Sequence, residues 1–249
     1  MSREDEVAAL EVTPKMKRAG LFWKRAGLFC LLFCLFCISA PLASAQSGSG
    51  DVSFGLGTAH VKASGVGLDF NSGTACLPSV DSACSATESD LSGVFMGFHG
   101  DYMFNRRFGV GTDVLFQPAK QDYANFNAIS PGEKIQSRMT FWDLNGVARP
   151  VRNKMAALQL EGGIGVANLR FYDTISQSGV LGNQSSNQYI SSANHFQVHA
   201  GVGVPIYIKN GFFVRPQFDI HYVPNLDQQY GGNLVTQGMV WVGYSFGGK

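Results

Sequence analysis

FQVHAGVGVPI, residues 196–206, alternates between apolar side chains and polar or small side chains with a period of two. The apolar set is Phe196, Val198, Ala200, Val202, Val204 and Ile206, and the other set is Gln197, His199, Gly201 and Gly203. Successive side chains of a β-strand point to opposite faces, whereas a helix repeats every ~3.6 residues. The segment therefore predicts a strand with one apolar and one polar face.

Seven further segments of the chain show the same alternation. With the first, they predict strands near residues 51–61, 91–104, 108–116, 137–148, 158–166, 196–206, 212–222 and 237–246. No long apolar run follows residue 45, so membrane-spanning helices are not expected in that part. The predicted fold class is all-β, with about eight strands and no separate domain.

The connections between these strands alternate in length. Short polar turns are predicted at 105–107, 150–154 and 209–211. Long segments rich in Ser, Asn, Gly and Gln occupy about 62–90, 117–136, 173–194 and 224–236. Outer-membrane barrels have short turns at one end and long loops at the other. The pattern therefore predicts a closed antiparallel up-and-down barrel.

The composition indicates which face points outward. Charged residues make up 15% of the chain, whereas about 25% is usual for soluble domains. A soluble eight-stranded barrel of the lipocalin type would place its apolar face inside and a Lys- and Glu-rich face in water. Here the polar face has one strand-centre cation, Arg215, and the apolar face is nearly free of charge. A charge facing the bilayer centre costs about 2–4 kcal/mol, so we predict that the apolar face contacts lipid.

The start of the chain predicts a cleaved signal peptide over residues 1–45. An apolar stretch, residues 28–38, precedes the small-residue site Ala43-Ser44-Ala45, with cleavage expected between Ala45 and Gln46. The basic residues before it are Lys15, Lys17, Arg18, Lys24 and Arg25. Because acidic residues near the start are unusual in such a leader, translation from Met16 is an alternative. Either start leaves the barrel as residues 46–249.

Two cysteines, Cys76 and Cys84, remain after the predicted leader, in a segment rich in Ser and Asp. In an exported protein such a pair predicts a disulfide, which would close the first long loop. We expect both thiols to be blocked to alkylation in non-reduced protein. Free thiols on both residues would contradict the bond. Its loss should leave the barrel folded, because it lies outside the predicted strands.

Two stretches carry a resemblance to a known group of proteins. They are the hairpin GVGVPIYIKNGFFVRPQ, residues 201–217, and the closing strand VWVGYSF, residues 240–246. Both resemble the small outer-membrane barrel family that includes the OmpA membrane domain. The resemblance implies a bacterial outer-membrane location, insertion by the barrel-assembly machinery, and contact with outer-membrane lipid and lipopolysaccharide. Such barrels usually end on an aromatic residue, whereas Gly247-Gly248-Lys249 follow Phe246 here.

Ionisable residues of the polar face form the candidate site. We expect them inside the barrel, as a hydrogen-bonded lumen plug or, alternatively, as the lining of a narrow cation-preferring path for small solutes or ions. They are His99, Asp101, Asp113, Asp143, Glu161, His199, Arg215, Asp219 and His221. No cofactor or metal is expected, and the formal net charge of +1 gives no reason for a nucleic-acid partner.

Catalysis by a lipid A-modifying barrel enzyme is a weaker alternative. It would need a Ser and a His together on the lipid side, whereas His99, His199 and His221 are predicted to face inward. His60 and His195 are expected to face outward, at strand ends near the loops. The function predicted from the sequence is therefore non-enzymatic: a monomeric barrel with a structural or surface-interaction role, whose long loops contact an unknown extracellular partner.

Overall fold

The computed structural model describes residues 48–65, 67–69, 74–76, 87–125, 133–179 and 182–247, all within one unit, Ser47–Lys249. The predicted leader, the cleavage site Ala45-Gln46 and Cys84 lie outside the described residues, as does the side chain of Cys76. The signal peptide and the disulfide therefore stay predictions. No helix in the described residues is long and apolar enough to cross a membrane.

Eight strands form a closed ring in the described part of the chain. They are β1 (Ser49–His60), β2 (Val94–Met103), β3 (Phe108–Phe116), β4 (Glu133–Arg152), β5 (Ala157–Gly179), β6 (Gly182–Gly203), β7 (Phe212–Tyr222) and β8 (Leu234–Gly247). Each pairs antiparallel with the next, and β1 pairs with β8 to close the ring. The predicted closed antiparallel barrel is confirmed.

The two ends of the ring differ. Short connections follow β2, β4 and β6, and we call this the turn end. At the other end, the loop end, long connections follow β1, β3 and β7, and β5 and β6 extend outward as one long hairpin. One short connection, after β6, contains the two-residue strand Ile206–Tyr207, which pairs with β7. The turn Asn210-Gly211 brings both residues to positive φ, which Asn and Gly tolerate best.

The prediction of long loops at 117–136 and 173–194 is wrong in large part. β4, β5 and β6 contain 20, 23 and 22 residues, and β5 and β6 stay paired up to Gly179 and Gly182. The short strand Gln121–Asn125 pairs with the start of β4. Beyond the membrane both faces of a sheet meet water, so the apolar alternation that predicts strands disappears there.

These additions form a sheet that projects beyond the ring. It consists of Gln121–Asn125 and the loop-end parts of β4, β5 and β6, residues 133–138, 170–179 and 182–192, with Thr87–Glu88 added at one side. We call it the loop-end sheet. β7 pairs with β6 only from Val198 onward. The part of β6 before Val198 therefore extends about 50 Å along its own direction, at ~3.3 Å per residue.

The outer surface of the ring is apolar. Val202, Phe218 and Val240, on β6, β7 and β8, are all 42–51% exposed in the isolated chain, and so are many outward aliphatic and aromatic residues of the other strands. Aromatic rings cluster at the strand ends, with Phe212 and Tyr244 at the turn end, 5.2 Å apart, and Trp142 and Phe196 toward the loop end. A closed ring with this surface is suited to lipid.

The loop end of the interior is filled by an apolar cluster that the sequence patterns did not reveal. Ring residues and loop residues contribute to it, among them Leu226 and Tyr230 from the connection before β8. We call it the apolar plug: Ala59, Val61, Leu91, Phe95, Leu115, Tyr123, Ala124, Met139, Phe141, Ala167, Leu169, Val223, Leu226, Tyr230, Val235, Met239 and Trp241. Burial in this plug raises the pKa of the Tyr230 hydroxyl, in the loop, to about 12.

Candidate functional site

The structure places all nine predicted site residues inside the ring, where they are buried. They occupy a belt between the apolar plug and the turn end, on strands β2 to β7. The residues are His99, Asp101, Asp113, Asp143, Glu161, His199, Arg215, Asp219 and His221. Each lies on the inward face because every second residue of a strand does so. We call this set, with the inward polar side chains that bond to it, the polar belt.

Arg215 is the centre of one half of the belt. Its Nη1 lies 3.2 Å from Glu161 Oε1, 3.2 Å from His99 Nε2 and 3.9 Å from Asp101 Oδ2. The other ring nitrogen of His99 contacts Asp113. The guanidinium group therefore compensates the charge of carboxylates from two different strands, which a buried acid requires.

Stacked rings organise the other half. His199 and His221 lie face to face with centroids 4.6 Å apart, and Phe141 of the apolar plug stacks on His221 at the same distance. His199 Nε2 lies 3.0 Å from Asp219 Oδ1 and its Nδ1 lies 3.1 Å from Asn145 Oδ1. Asp143 accepts a hydrogen bond of 2.7 Å from Gln197 Nε2. The stack joins the polar belt directly to the plug.

Sequence reasoning missed two charged residues of the belt, Arg149 and Asp51. Arg149 is 1% exposed; it contacts Asp51, lies 3.1 Å from Asp101 Oδ2 and donates 2.8 Å to Gln159 Oε1. The predicted strand stopped at residue 148 because Pro150 suggested a turn. β4 instead continues to Arg152, with a register shift between Ala148 and Val151 that accommodates the proline. Asp143 and Asn145 face inward, and the same alternation continued along the strand would have predicted that Arg149 also faces inward.

Glycines on the inward face give these side chains room. A Cβ atom at Gly165 would lie 2.5 Å from Asp143 Oδ1, and one at Gly55 would lie 2.5 Å from Trp241 Cε3. Gly163 likewise faces the side chain of Asn145. Gly162, which precedes Gly163 in the same strand, is instead exposed on the outer face.

The belt contains one arrangement with the composition of a metal site. One ligand atom each of His99, Asp113 and Glu161 lie within 4.8 Å of one another. However, Arg215 Nη1 is 3.2 Å from both His99 Nε2 and Glu161 Oε1, so a cation already lies against two of the three ligands. The residues do not fit a metal ion well, and we derive no metal chemistry from them.

Comparison with known proteins shows the family of this barrel. The sequence matches the family described as outer membrane protein beta-barrel domain over residues 28–246. The chain belongs to this family. The predicted outer-membrane location is confirmed with it, and the turn end of such barrels faces the periplasm. None of the curated protein sequences matches this outer-membrane barrel.

Several solved structures resemble the outer-membrane barrel. Ail, the attachment invasion locus protein of Yersinia pestis, solved with the heparin analogue sucrose octasulfate, is 15% identical, with 81% of this chain and 100% of that chain covered and a TM-score of 0.46. OprG from Pseudomonas aeruginosa is 16% identical, with 81% and 97% covered and a TM-score of 0.44. The N-terminal barrel domain of OprF from the same organism is 11% identical, with 81% and 98% covered and a TM-score of 0.38.

The lipid side of this outer-membrane barrel requires one correction. His195 was predicted to face outward, but it pairs with the buried Ala167 and shares the inward parity of Gln197 and His199. His60 is exposed on the outer face, as predicted. The alternation that begins at the outward Phe196, extended by one residue toward the start of β6, gives His195 this inward parity.

Proposed function

We propose that this outer-membrane barrel is a non-enzymatic surface-interaction protein with a blocked lumen. Its loop-end sheet binds an extended segment of another protein by adding that segment as a further strand. The observation that carries the proposal is the outer edge of β6. Residues 182–197 pair with β5 on one side and have no strand on the other in the part of the chain that the structure describes.

The outer part of this edge, residues 182–189, lacks the features that usually prevent strand addition. Natural sheets protect exposed edges with charged residues, proline, bulges or a covering segment. Residues 182–197 contain no proline and no Asp, Glu, Lys or Arg. One irregularity, between Tyr189 and Ser191, separates the regular outer part, residues 182–189, from the part next to the membrane. The outer part therefore offers a free edge eight residues long, along which every second residue directs its backbone N–H and C=O away from β5.

The residues inside the barrel favour a blocked lumen and argue against the alternative prediction of a narrow channel. The polar belt by itself would suit a cation path, because six buried carboxylates face two guanidinium groups and three histidines in the described residues. Above the belt, however, Phe95, Phe141 and Met139 are fully buried in the apolar plug. An ion would lose its hydration among these side chains without gaining a polar partner.

The lipid-facing surface supports a non-enzymatic role. A lipid-modifying site would need a serine hydroxyl in hydrogen-bond reach of a histidine on that surface. Ser64, four residues after His60, donates a hydrogen bond to Glu88, and the Nε2 atom of His195 is buried inside the ring without a partner. Neither histidine is therefore arranged to activate a nucleophile.

Removal of the outer hairpin tests the proposed function. Asp173 and Gln188 are paired across β5 and β6, so residues 174–187 can be replaced by Asn-Gly, which closes a two-residue turn. We expect bacteria that express this variant to lose adherence to protein-coated surfaces by about tenfold or more, because several main-chain hydrogen bonds to the partner are lost. Counting adherent cells against wild-type bacteria measures the effect.

A second variant shows whether adherence depends on the free edge of β6 or on the hairpin as a whole. Ser186→Lys with Gln188→Lys adds charge to the free edge and should lower adherence in the same way. Ser176→Lys with Ser178→Lys adds the same charge to β5, one strand away from the free edge of β6, and is the matched control. Full adherence of the hairpin-deleted bacteria, or an equal loss in the control, would refute strand addition.

A further inference from the structure

A pair of arginines lies on the outer face just above the lipid-facing surface. Arg138 of β4 and Arg170 of β5 are directly opposite each other in the strand register, and both point outward. Like charges in this position repel each other across a sheet. Such a pair is stable where a counter-charge from outside the chain lies against it.

The strand register places this pair at a defined height. Trp142, Val166 and Phe196 form one apolar outward row across β4, β5 and β6. The next outward row is Thr140, Asn168 and Asn194, and the row beyond is Arg138, Arg170 and Ser192. Four residues of a strand tilted by about 40° correspond to roughly 10 Å along the membrane normal. The arginines therefore lie at the level of the outer-leaflet headgroups.

Both guanidinium groups are held in place by neutral acceptors. Arg138 donates from Nε to Gln117 O at 2.7 Å and from Nη2 to Pro118 O at 2.9 Å. Arg170 donates from Nε to Asn168 Oδ1 at 2.8 Å, and Asn168 in turn donates to Asn194 Oδ1 at 2.6 Å. The side chains are thus oriented without neutralisation of their charges, which leaves N–H groups on each for an outside acceptor.

The charged residues around this pair do not neutralise it. Among the residues that the structure describes, no ion pair joins Arg138 or Arg170 to a carboxylate. Lys134 is paired with Asp122 at 2.8 Å, which lowers the pKa of that carboxyl. Lys120, by contrast, lies 3.8 Å from the centre of the Tyr172 ring and bonds to a neutral amide, Asn187. Three cations without an acidic partner therefore lie in one sector of the outer face.

We infer that Arg138 and Arg170 clamp a phosphate group of an outer-leaflet glycolipid of the lipid A type, with Lys120 as a third cation. Guanidinium groups bind phosphate through paired charge-assisted hydrogen bonds. The apolar row below, with Trp142 and Phe196, would contact the acyl chains of the same molecule. Continuity between the apolar surface and the cations favours a lipid-borne phosphate over a free one. This site lies on the lipid side of the sheet and is independent of the proposed strand addition.

The test compares phosphorylated lipid A with the same lipid A after removal of its phosphates. Binding of each to the purified full-length barrel is measured by titration in detergent micelles. We expect the phosphates to raise the affinity by about tenfold or more, and Arg138→Gln with Arg170→Gln to abolish that difference. Arg106→Gln with Arg107→Gln removes an exposed arginine pair at the turn end and should leave it unchanged.

Three results would overturn the inference. They are equal affinity of the wild-type barrel for the two lipids, an unchanged preference in the Arg138 and Arg170 double variant, and displacement of lipid A by millimolar inorganic phosphate, which would indicate a site for free anions. A heat-dependent gel shift checks that each variant is folded. If the double variant fails to fold, the comparison of the two lipids on the wild-type barrel still decides.

Discussion

Val202→Arg is expected to prevent stable insertion of the barrel, whereas His199→Gln leaves it folded. Val202 is 42% exposed on the outer face of β6, between Leu160 of β5 and Phe218 of β7. An arginine there would face hydrocarbon near the middle of the membrane, at a cost of about 2–4 kcal/mol. His199 faces the polar belt, and a glutamine can keep a hydrogen bond to Asp219 or Asn145, so the cost should be about 1–2 kcal/mol.

Unfolding of both variants by urea in lipid vesicles measures this difference. The folded fraction is followed by the heat-dependent gel shift that closed barrels show. Val204→Arg, one outward position closer to the turn end, is a depth control and should cost less, because the penalty falls toward the interface. A larger loss of stability for His199→Gln than for Val202→Arg would mean that the two faces of β6 are assigned the wrong way round.

Arg149→Met is expected to destabilise the folded barrel by about 3–5 kcal/mol, because it leaves buried carboxylates without their cation. Asp51 and Asp101 both contact this guanidinium, and both are buried. Methionine keeps much of the volume of the side chain and removes only the charge and its hydrogen bonds. The free energy of unfolding in urea, compared with wild type, measures the effect.

Two variants show whether the loss arises from unpaired charge. Arg152→Met removes an exposed cation three residues further along β4 and should change stability by less than about 0.5 kcal/mol. Arg149→Met combined with Asp51→Leu removes one of the acids that the first change leaves unpaired, and should recover part of the loss. Equal losses for Arg149→Met and Arg152→Met would refute the structural role of Arg149.

Sequence periodicity was sufficient for the membrane part of the fold. β7 runs from Phe212 to Tyr222, the range its alternation predicts, and β3 agrees equally well. The reason is physical, since each residue of a lipid-spanning strand contacts either hydrocarbon or a packed interior. The same parity assigned the nine predicted site residues to the inside, where the structure places them.

Periodicity failed wherever the two faces of a strand do not differ in polarity. In the loop-end sheet both faces meet water, so Ser-, Asn- and Gln-rich strands such as residues 182–194 look like loops. In the apolar plug both faces of a strand are apolar, so Phe95 and Phe141 do not stand out from their neighbours. Arg149 was missed because a proline in an irregular strand resembles a proline in a turn.

Conductance of the purified protein in planar bilayers tests the blocked lumen most directly. With the apolar plug above the polar belt, we predict no stable ohmic steps from the wild-type barrel at either polarity. Asp219→Asn alters a buried acid that is bonded to His199 and Gln217, and this variant should likewise show no conductance steps. Stable ohmic steps whose size or cation preference changes in Asp219→Asn would show that ions pass through the belt, and would contradict the account.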